Sequence, residues 1–150
     1  MRELSLKNEQ RARRLDLAFF RKVGRWVLLE SLERTEFEIH VNFLDAAAME
    51  ALNRRFLQHS GSTDVITFDY RSDSEASLSG EIFICVDEAV AQSARFRTSW
   101  QEEVFRYFIH GLLHLEGFDD RTEPKRRVMK RRENRLVKEL RGAFSLSILG

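Results

Sequence analysis

Two histidines four residues apart, followed by a glycine and an aspartate, form the stretch of this sequence that is best suited to chemistry. The stretch is HGLLHLEGFDD at residues 110–120. Side chains at positions i and i+4 lie on one helix face, so His110 and His114 can direct their ring nitrogens at one ion. Gly117 lets the chain turn sharply, and Asp120 then returns towards the same point. Two imidazoles and one carboxylate form a full protein ligand set for one catalytic zinc ion, with a fourth position open.

An alternative interpretation treats both histidines as ordinary helix residues, because HxxxH often occurs without a metal. The surrounding helix is apolar, however, and a buried histidine needs a polar partner. The glycine and the acidic residues that follow favour the metal site. The spacing is also similar to the long zinc motif of metzincin proteases, which have a glutamate directly after the first histidine as general base. That position is Gly111 here, so the proteolytic signature fails at its catalytic residue.

The composition is typical of a soluble globular protein. The chain has 150 residues, of which 43% are hydrophobic and 33% charged, and this length predicts one domain, residues 1–150. No apolar run reaches the roughly 18 residues of a membrane span, and the polar N-terminus lacks the apolar core of a secretory signal. The single cysteine, Cys85, excludes an internal disulfide. We therefore expect a cytoplasmic protein with no membrane segment.

Hydrophobic periodicity predicts an α+β (α/β-like) domain with a mixed central sheet of about four strands packed with helices. The predicted strands are residues 3–8, 36–43, 64–70 and 81–86, the predicted helices are residues 15–33, 45–57, 87–97, 99–117 and 122–141, and loops are expected at residues 59–64 and 71–80. The alternating strand 36–43 is expected to be half exposed. Strands 64–70 and 81–86 are apolar on both faces and are expected to be inner strands. Helix 99–117 is apolar on several faces, so we expect it to be the central helix that carries the zinc site.

Three blocks of the sequence resemble the YbeY proteins, bacterial single-domain metal-dependent endoribonucleases involved in ribosomal RNA maturation. The zinc stretch resembles their HGxLHLxGYDH signature. LNRRFL…STDVITF, at residues 52–68, is similar to LNxxYR…PTDVLSF, and GEIFI, at residues 80–84, is similar to GDIxI. Met129 and Glu133 resemble the MxxxE pattern that follows the zinc motif. The resemblance extends from about Ile39 to Leu140, which is most of the chain.

The resemblance implies a zinc-dependent, single-strand-specific endoribonuclease that matures the 3′ end of small-subunit ribosomal RNA and acts in ribosome quality control. Its partners would be ribosomal RNA and small-subunit ribosomal proteins, with no small-molecule cofactor beside one zinc ion per chain. The family's third ligand is usually a histidine, where this chain has Asp120. Aspartate is a competent oxygen ligand for zinc, so the ligand set stays complete.

The second departure from the family concerns an arginine. The family arginine of the LNxxYR block falls at Leu57, and a leucine cannot contact phosphate. Arg54 lies three residues earlier on the same helix face and is the candidate catalytic replacement, ahead of Arg55, which points away. Arg121, beside the zinc stretch, is a third candidate. In the alternative interpretation, Arg54 and Arg55 belong to a solvated helix face.

The last predicted helix is far more basic than a chain whose net charge is only +1. Its cationic residues are Lys125, Arg126, Arg127, Lys130, Arg131, Arg132, Arg135, Lys138 and Arg141. Its apolar stripe docks on the core, so the cationic side faces solvent or phosphate. We predict RNA contacts from Arg127, Lys130 and Arg131, and a plainly solvated charged face is the alternative.

Two other functions remain open at the level of sequence. A non-catalytic, zinc-containing ribosome-assembly factor that binds ribosomal RNA would explain the missing arginine, and a zinc peptidase is the less favoured alternative. A set of three protein ligands favours catalysis, because structural zinc usually has four. No general base stands out among Glu116, Asp119 and Asp64, which are candidates by proximity only.

Overall fold

Four strands and five α-helices make up the computed structural model, which describes residues 1–57, 63–71 and 77–150. The strands are β1 (Arg2–Glu9), β2 (Phe37–Leu44), β3 (Val65–Asp69) and β4 (Leu78–Cys85), and the helices are α1 (Leu17–Trp26), α2 (Ala46–Leu57), α3 (Val86–Phe96), α4 (Trp100–Leu115) and α5 (Glu123–Ala143). A π-helical turn, Val27–Ser31, continues α1, and a short 3₁₀ turn, Leu146–Leu149, ends the chain. The prediction of an α+β domain with a mixed four-stranded sheet is confirmed.

The sheet has the strand order β1-β2-β4-β3. β1 and β4 both run parallel to β2, whereas β3 is antiparallel to β4. The prediction that residues 64–70 form an inner strand is therefore wrong, because β3 lies at the edge. The strand is nevertheless apolar on both faces, because each face packs against a different group of hydrophobic residues. Val65 packs against the main core, while Ile66 packs on the opposite face of the sheet with Met49 of α2.

Two further predictions, one on a loop boundary and one on the exposure of a strand, need correction. β4 begins at Leu78, so the loop expected at residues 71–80 is shorter than predicted, and its remainder lies mostly outside the described residues. Most of the loop expected at residues 59–64 lies outside them as well. The half-exposed strand β2 is less exposed than its alternation predicts, since Asn42 is buried and donates an Nδ2–H bond to Glu81 Oε2 at 2.8 Å.

Helix α4 is the buried centre of the main core, as the sequence predicts. It packs on β3 and β4 and between α3 and α5, and most of its side chains are buried. Gly111 makes the close approach to the sheet feasible. A Cβ atom at this position would lie 2.9 Å from both Cδ1 and Cγ2 of Ile82 on β4. The same glycine that removes the proteolytic signature therefore has a packing role.

Capping residues set where the two helices that flank residues 116–122 begin and end. Ser99 Oγ accepts a hydrogen bond from the Glu102 N–H at 3.1 Å and starts α4. Gly117, with φ of +106°, lets the chain reverse after α4. Thr122 Oγ1 then accepts a bond from the Lys125 N–H at 3.4 Å and starts α5. The segment between the helices is short, which brings residues 119–121 back towards the end of α4.

The helices of the described residues include none that is both long enough and apolar enough to span a lipid bilayer.

We predict that Gly111→Val destabilises the protein, while the same change at Gly142 does not. The valine side chain would overlap Ile82, and such overpacking costs about 1–3 kcal/mol of unfolding free energy. Gly142 is also helical, but its added Cβ would meet no atom within 4 Å, so Gly142→Val should change stability by less than about 0.5 kcal/mol. Urea denaturation measures both values, and equal midpoints for the two variants would contradict the close packing of α4 on β4.

Candidate metal centre

Three side-chain donor atoms converge beside the C-terminal end of α4. His110 Nε2 and His114 Nε2 lie 3.2 Å apart, and Asp120 Oδ2 lies 3.7 Å from the first and 3.8 Å from the second. Donor atoms of a tetrahedral zinc site, bonded at about 2.0–2.1 Å, lie about 3.4 Å from one another. Within the described residues, these three form the group whose donor atoms are close enough together to hold one metal ion.

The local structure selects Asp120 over its neighbour Asp119. The Asp119 carboxylate faces away from the histidines, because its Oδ1 accepts the Arg121 N–H at 3.1 Å and its Oδ2 contacts Lys125 Nζ at 3.4 Å. Those contacts connect Asp119 to the loop before α5 and to the first turn of that helix. Asp120 is thereby left to turn its Oδ2 towards the two imidazoles.

The electrostatics of the site favour an imidazole that is free to bind a metal. Burial, followed by the charge of the neighbouring His110, lowers the pKa of His114 below its usual 6.5, although Asp120 partly opposes this effect. A neutral His114 keeps a lone pair on Nε2 at neutral pH. Neutral imidazole is the form that binds metal ions.

Behind the histidines lies a contact that connects α5 to α4. His110 Nδ1 is 2.7 Å from Glu133 Oε1, so the imidazole donates its Nδ1–H to the carboxylate and presents Nε2 towards Asp120. A carboxylate behind a histidine ligand is the usual arrangement at metal sites, because it fixes the tautomer and the ring orientation. The sequence places Glu133 in the MxxxE pattern but assigns it no role.

A signal for Glu133 is present in the sequence nevertheless. It falls on the buried stripe of α5, which comprises Met129, Glu133, Leu136, Val137 and Leu140. A carboxylate on an otherwise apolar stripe needs a buried partner, since an isolated charge is strongly disfavoured in the core. The sequence does not say which partner, and the fold supplies His110.

Two cations complete the environment of this buried carboxylate, whose side chain is only 4% exposed. Arg106 Nη1 donates to Glu133 Oε2 at 2.8 Å, and Lys130 Nζ lies 3.1 Å from the same oxygen. Burial by itself would raise the pKa of Glu133. The His110 hydrogen bond, the Lys130 charge and the Arg106 hydrogen bond outweigh burial and lower the pKa to about 2. Glu133 is therefore ionised at any physiological pH.

Two cavities meet at the candidate ligands, and both are lined by Asp64, His110 and Asp120. The first cavity, of about 780 Å³, runs between α3, α4 and α5. Its cationic lining residues are Arg106, Arg126, Arg127 and Lys130. The second, of about 450 Å³, lies towards β3 and the end of α2 and includes His114 and Leu57.

The structure distributes the predicted RNA-binding residues unevenly. Arg127 and Lys130 line the first cavity, whereas Arg131 is exposed on α5 and is not among its lining residues. Arg126 and Arg106 also line this cavity, and neither is among the predicted RNA-binding residues. Arg106 comes from α4, so only the packing of two helices reveals that it shares the cavity with the α5 cations.

Arg54, predicted as the catalytic arginine, lies outside the lining of both cavities. Its Nη2 pairs with Glu50 Oε1 at 2.6 Å on the exposed face of α2, and its side chain is 68% exposed. Leu57 occupies the family arginine position and does line the second cavity. Arg55 places its guanidinium 5.2 Å from the Phe56 ring centroid. Arg54 is thus on the same helix as Leu57, but unlike Leu57 it does not line a cavity beside the candidate ligands.

The three carboxylates proposed as general bases also differ in their surroundings. Glu116 forms an ion pair with Arg34, and Asp119 contacts Lys125. Asp64, directly before β3, accepts the Val65 N–H on Oδ1 at 2.8 Å and lines both cavities. Of the three, only Asp64 lines the two cavities that meet at the candidate ligands.

Comparison with known proteins gives one consistent result. The sequence profile of the family described as Endoribonuclease YbeY matches residues 5–141. Relatives named Endoribonuclease YbeY include one from Chlorobium luteolum, 34% identical over 92% of this chain and 98% of the relative. Another from Bacteroides fragilis is 35% identical over 78% of this chain and 84% of the relative.

A similar fold is present in the solution structure of a Thermotoga maritima protein. It aligns with 94% of this chain and 91% of its own, with a TM-score of 0.69 and 20% sequence identity. At this identity the likeness supports the fold alone.

We predict that Glu133→Gln weakens metal binding by about 10- to 100-fold, the usual effect of losing a carboxylate behind a histidine ligand. The glutamine keeps the shape and one acceptor but loses the charge that orients the His110 ring. Glu139→Gln is the matched control, because Glu139 is exposed on the same helix. Zinc titration against a chromophoric chelator measures the affinities. Equal affinities for the two variants would limit Glu133 to a role in folding.

Proposed function

Because the chain belongs to the YbeY family of endoribonucleases, we propose that it is a single-strand-specific, zinc-dependent endoribonuclease that acts in ribosomal RNA maturation. The proposal includes processing of the 3′ end of small-subunit ribosomal RNA, a part in ribosome quality control and a cytoplasmic location. It also treats residues 1–150 as one endoribonuclease domain. The observation that carries it is the convergence of His110, His114 and Asp120 where a cavity with a cationic wall opens.

The donor set fits zinc well. Two imidazole nitrogens and one carboxylate oxygen are ligands that zinc accepts, and three protein ligands leave one position open, as in catalytic sites. His110 is also supported by Glu133, as zinc-bound histidines usually are. When bound, the ion supplies Lewis-acid polarisation of a phosphoryl oxygen.

The remaining work falls to residues around the ligands. We assign Arg127 and Lys130 to the phosphates that flank the scissile bond, because both line the first cavity beside His110. We assign proton transfer to the Asp64 carboxylate, which lines both cavities and, unlike Glu116 and Asp119, is not engaged by an arginine or lysine side chain in the contacts described above. Small-subunit ribosomal proteins are proposed as partners on the ground of family membership alone.

A non-catalytic RNA-binding assembly factor is the second candidate, and one specific observation favours it. Leu57 stands at the family arginine position and lines the second cavity, so that cavity presents an apolar side chain where phosphate contact is expected. This candidate would use the same metal site and the same cationic wall, and it differs from the first only in the absence of cleavage. A peptidase is not proposed, because Gly111 provides no general base and a side chain there would meet Ile82.

The test is metal analysis together with cleavage of a single-stranded RNA. We expect about one zinc per chain after zinc is supplied at neutral pH, and cleavage at internal positions of a labelled oligoribonucleotide. His114→Ala should abolish both, since it removes one of three ligands. Zinc and RNA binding without cleavage would select the assembly factor, and absence of any bound transition metal would refute the proposed site.

We predict that reversing Arg127, Lys130 and Arg131 to glutamate weakens RNA binding and flattens its salt dependence. Each phosphate contact that is lost lowers the slope of log K against log salt by about 0.7 for a single strand, so the full effect is about 2. Fluorescence anisotropy of a labelled oligoribonucleotide at several salt concentrations measures this slope.

The control for that variant reverses three exposed cations elsewhere, Lys7, Arg21 and Lys22, none of which lines either cavity. It changes net charge by the same amount. If both variants lose the same slope, general attraction explains the binding, and the α5 charges have no special role.

We also propose Arg54 as the substitute for the family arginine. Its pair with Glu50 is a surface ion pair, which contributes only about 0–1 kcal/mol, so exchange for a phosphate is energetically feasible. Arg54→Ala should then reduce the cleavage rate by roughly 30- to 1,000-fold, the loss expected for a charged transition-state contact. Arg55→Ala is the control. Equal rates for the two variants, with faster cleavage by Leu57→Arg, would show that the arginine position is simply vacated.

A further inference from the structure

An exposed phenylalanine stands at the rim of the first cavity. Phe96 is the last residue of α3, and the left-handed backbone of Arg97, with φ of 57°, ends the helix directly after it. Its side chain is 60% exposed. Single exposed apolar residues are common on protein surfaces and usually need no explanation. Phe96 differs because of what lies around it.

Among the large apolar side chains that are exposed in the described part of the chain, Phe96 is the one that lines the first cavity, together with His110 and Asp120. Gln92, one helical turn earlier and on the same face, lines it too. Both α3 and α5 pack on α4. The cavity therefore joins an aromatic side chain on α3 to the candidate ligands on α4 and the cations on α5.

Single-stranded nucleic acid presents both kinds of surface that this cavity can bind. Its phosphates seek cationic side chains, and its unpaired bases stack on aromatic rings. Arg126, Arg127 and Lys130 offer the first kind of contact, and Phe96 offers the second. The cavity volume of about 780 Å³ is within the roughly 300–1,000 Å³ that small-ligand sites occupy, and is enough for a nucleotide unit.

The surroundings of the ring strengthen its use as a platform. The guanidinium of Arg95 lies over the ring of Phe96, 5.4 Å from its centroid, so the face opposite Arg95 is the one on which a base would stack. The charge of Arg95 adds to the positive potential that attracts the phosphates of a nucleic acid strand. An apolar partner protein would gain nothing from the cations that share the cavity, so the combination favours RNA over a protein ligand.

We propose that Phe96 forms a base-stacking subsite for a nucleotide of single-stranded RNA whose neighbouring phosphate lies at the His110–His114–Asp120 centre. This inference rests on the proposed function and deepens it, because it explains a preference for single-stranded RNA. Bases within a duplex are already stacked and paired, and only an unpaired base can swing onto the ring. Phe96 is a binding residue here and takes no part in proton transfer.

The test separates stacking from charge by using two ligands of equal length and equal charge. One is a twelve-residue oligoadenylate, and the other is a twelve-residue abasic ribose-phosphate chain. Binding is measured by fluorescence anisotropy with the zinc-loaded protein at 4 °C, and gel electrophoresis of the labelled ligands after each measurement checks that they are intact. We expect Phe96→Leu to weaken oligoadenylate binding by about 5- to 100-fold, the range of one base-aromatic stack. Binding of the abasic chain should change by less than about twofold, and the salt slope should stay the same.

Two further variants act as controls. Phe96→Trp keeps an aromatic ring and should retain binding of oligoadenylate. Phe56→Leu is matched to Phe96→Leu, because Phe56 is 54% exposed and also lies beside the guanidinium of the preceding arginine. It lines neither cavity, so its loss should leave both affinities unchanged.

The outcomes distinguish this inference from the function on which it rests. Unchanged oligoadenylate affinity in Phe96→Leu, or an equal loss for both ligands, overturns the stacking subsite even if the protein cleaves RNA. A loss confined to oligoadenylate supports the subsite even if no cleavage is found. Failure of the unaltered protein to bind either ligand refutes the subsite together with the proposed function.

Discussion

The contact between Glu133 and His110 is the interaction on which the candidate site depends most. A carboxylate as buried as Glu133 is stable only when partners satisfy its charge. His110, Arg106 and Lys130 supply those partners, two of them from α4. The same contact sets the orientation of the His110 ring, so Nε2 faces Asp120. One ion-paired carboxylate thereby couples the docking of α5 to the geometry of the candidate ligands, and removing it would disturb both.

That coupling also explains how a nearly neutral chain obtains a cationic surface. The net charge of +1 produces no strong overall field. The buried stripe of α5 turns Met129 and Glu133 inward, and this rotation leaves Arg127 and Lys130 on the side that lines the first cavity. The cations are therefore concentrated beside the candidate metal ligands. The polarity of the cavity follows from how α5 packs, and not from the overall composition.

Rigid packing of α4 on the sheet supports the other half of the site. Gly111 allows the helix to lie against Ile82 of β4, one residue after the first histidine. The helix is thus held by the sheet on one side and by α5 on another. Because His110 and His114 lie on a buried, well-packed helix, the packing by itself fixes the spacing of these two candidate ligands. Asp120, on the loop after Gly117, is the most exposed of the three candidate ligands and the one least constrained by packing.

Local sequence determined most elements of this protein, because their causes are local. The period of apolar residues, the caps at Ser99 and Thr122, and the i, i+4 spacing of the histidines each act within a few residues. They are sufficient for the α+β class, the central helix and the proposed ligand set. The motifs in the sequence resemble those of the YbeY family, and the family profile matches the chain over residues 5–141.

Only the tertiary structure decided which distant residues meet. A strand with apolar residues on both faces has the same sequence pattern at the edge of a sheet as in its middle. The edge position of β3 could therefore not be predicted from its sequence. The partner of Glu133, the cavity role of Arg106 and the pairing of Arg54 with Glu50 depend on helix rotation and packing over long sequence separations. Residue types and periodicity specify faces, whereas the side chains that share a cavity are set by how those faces pack.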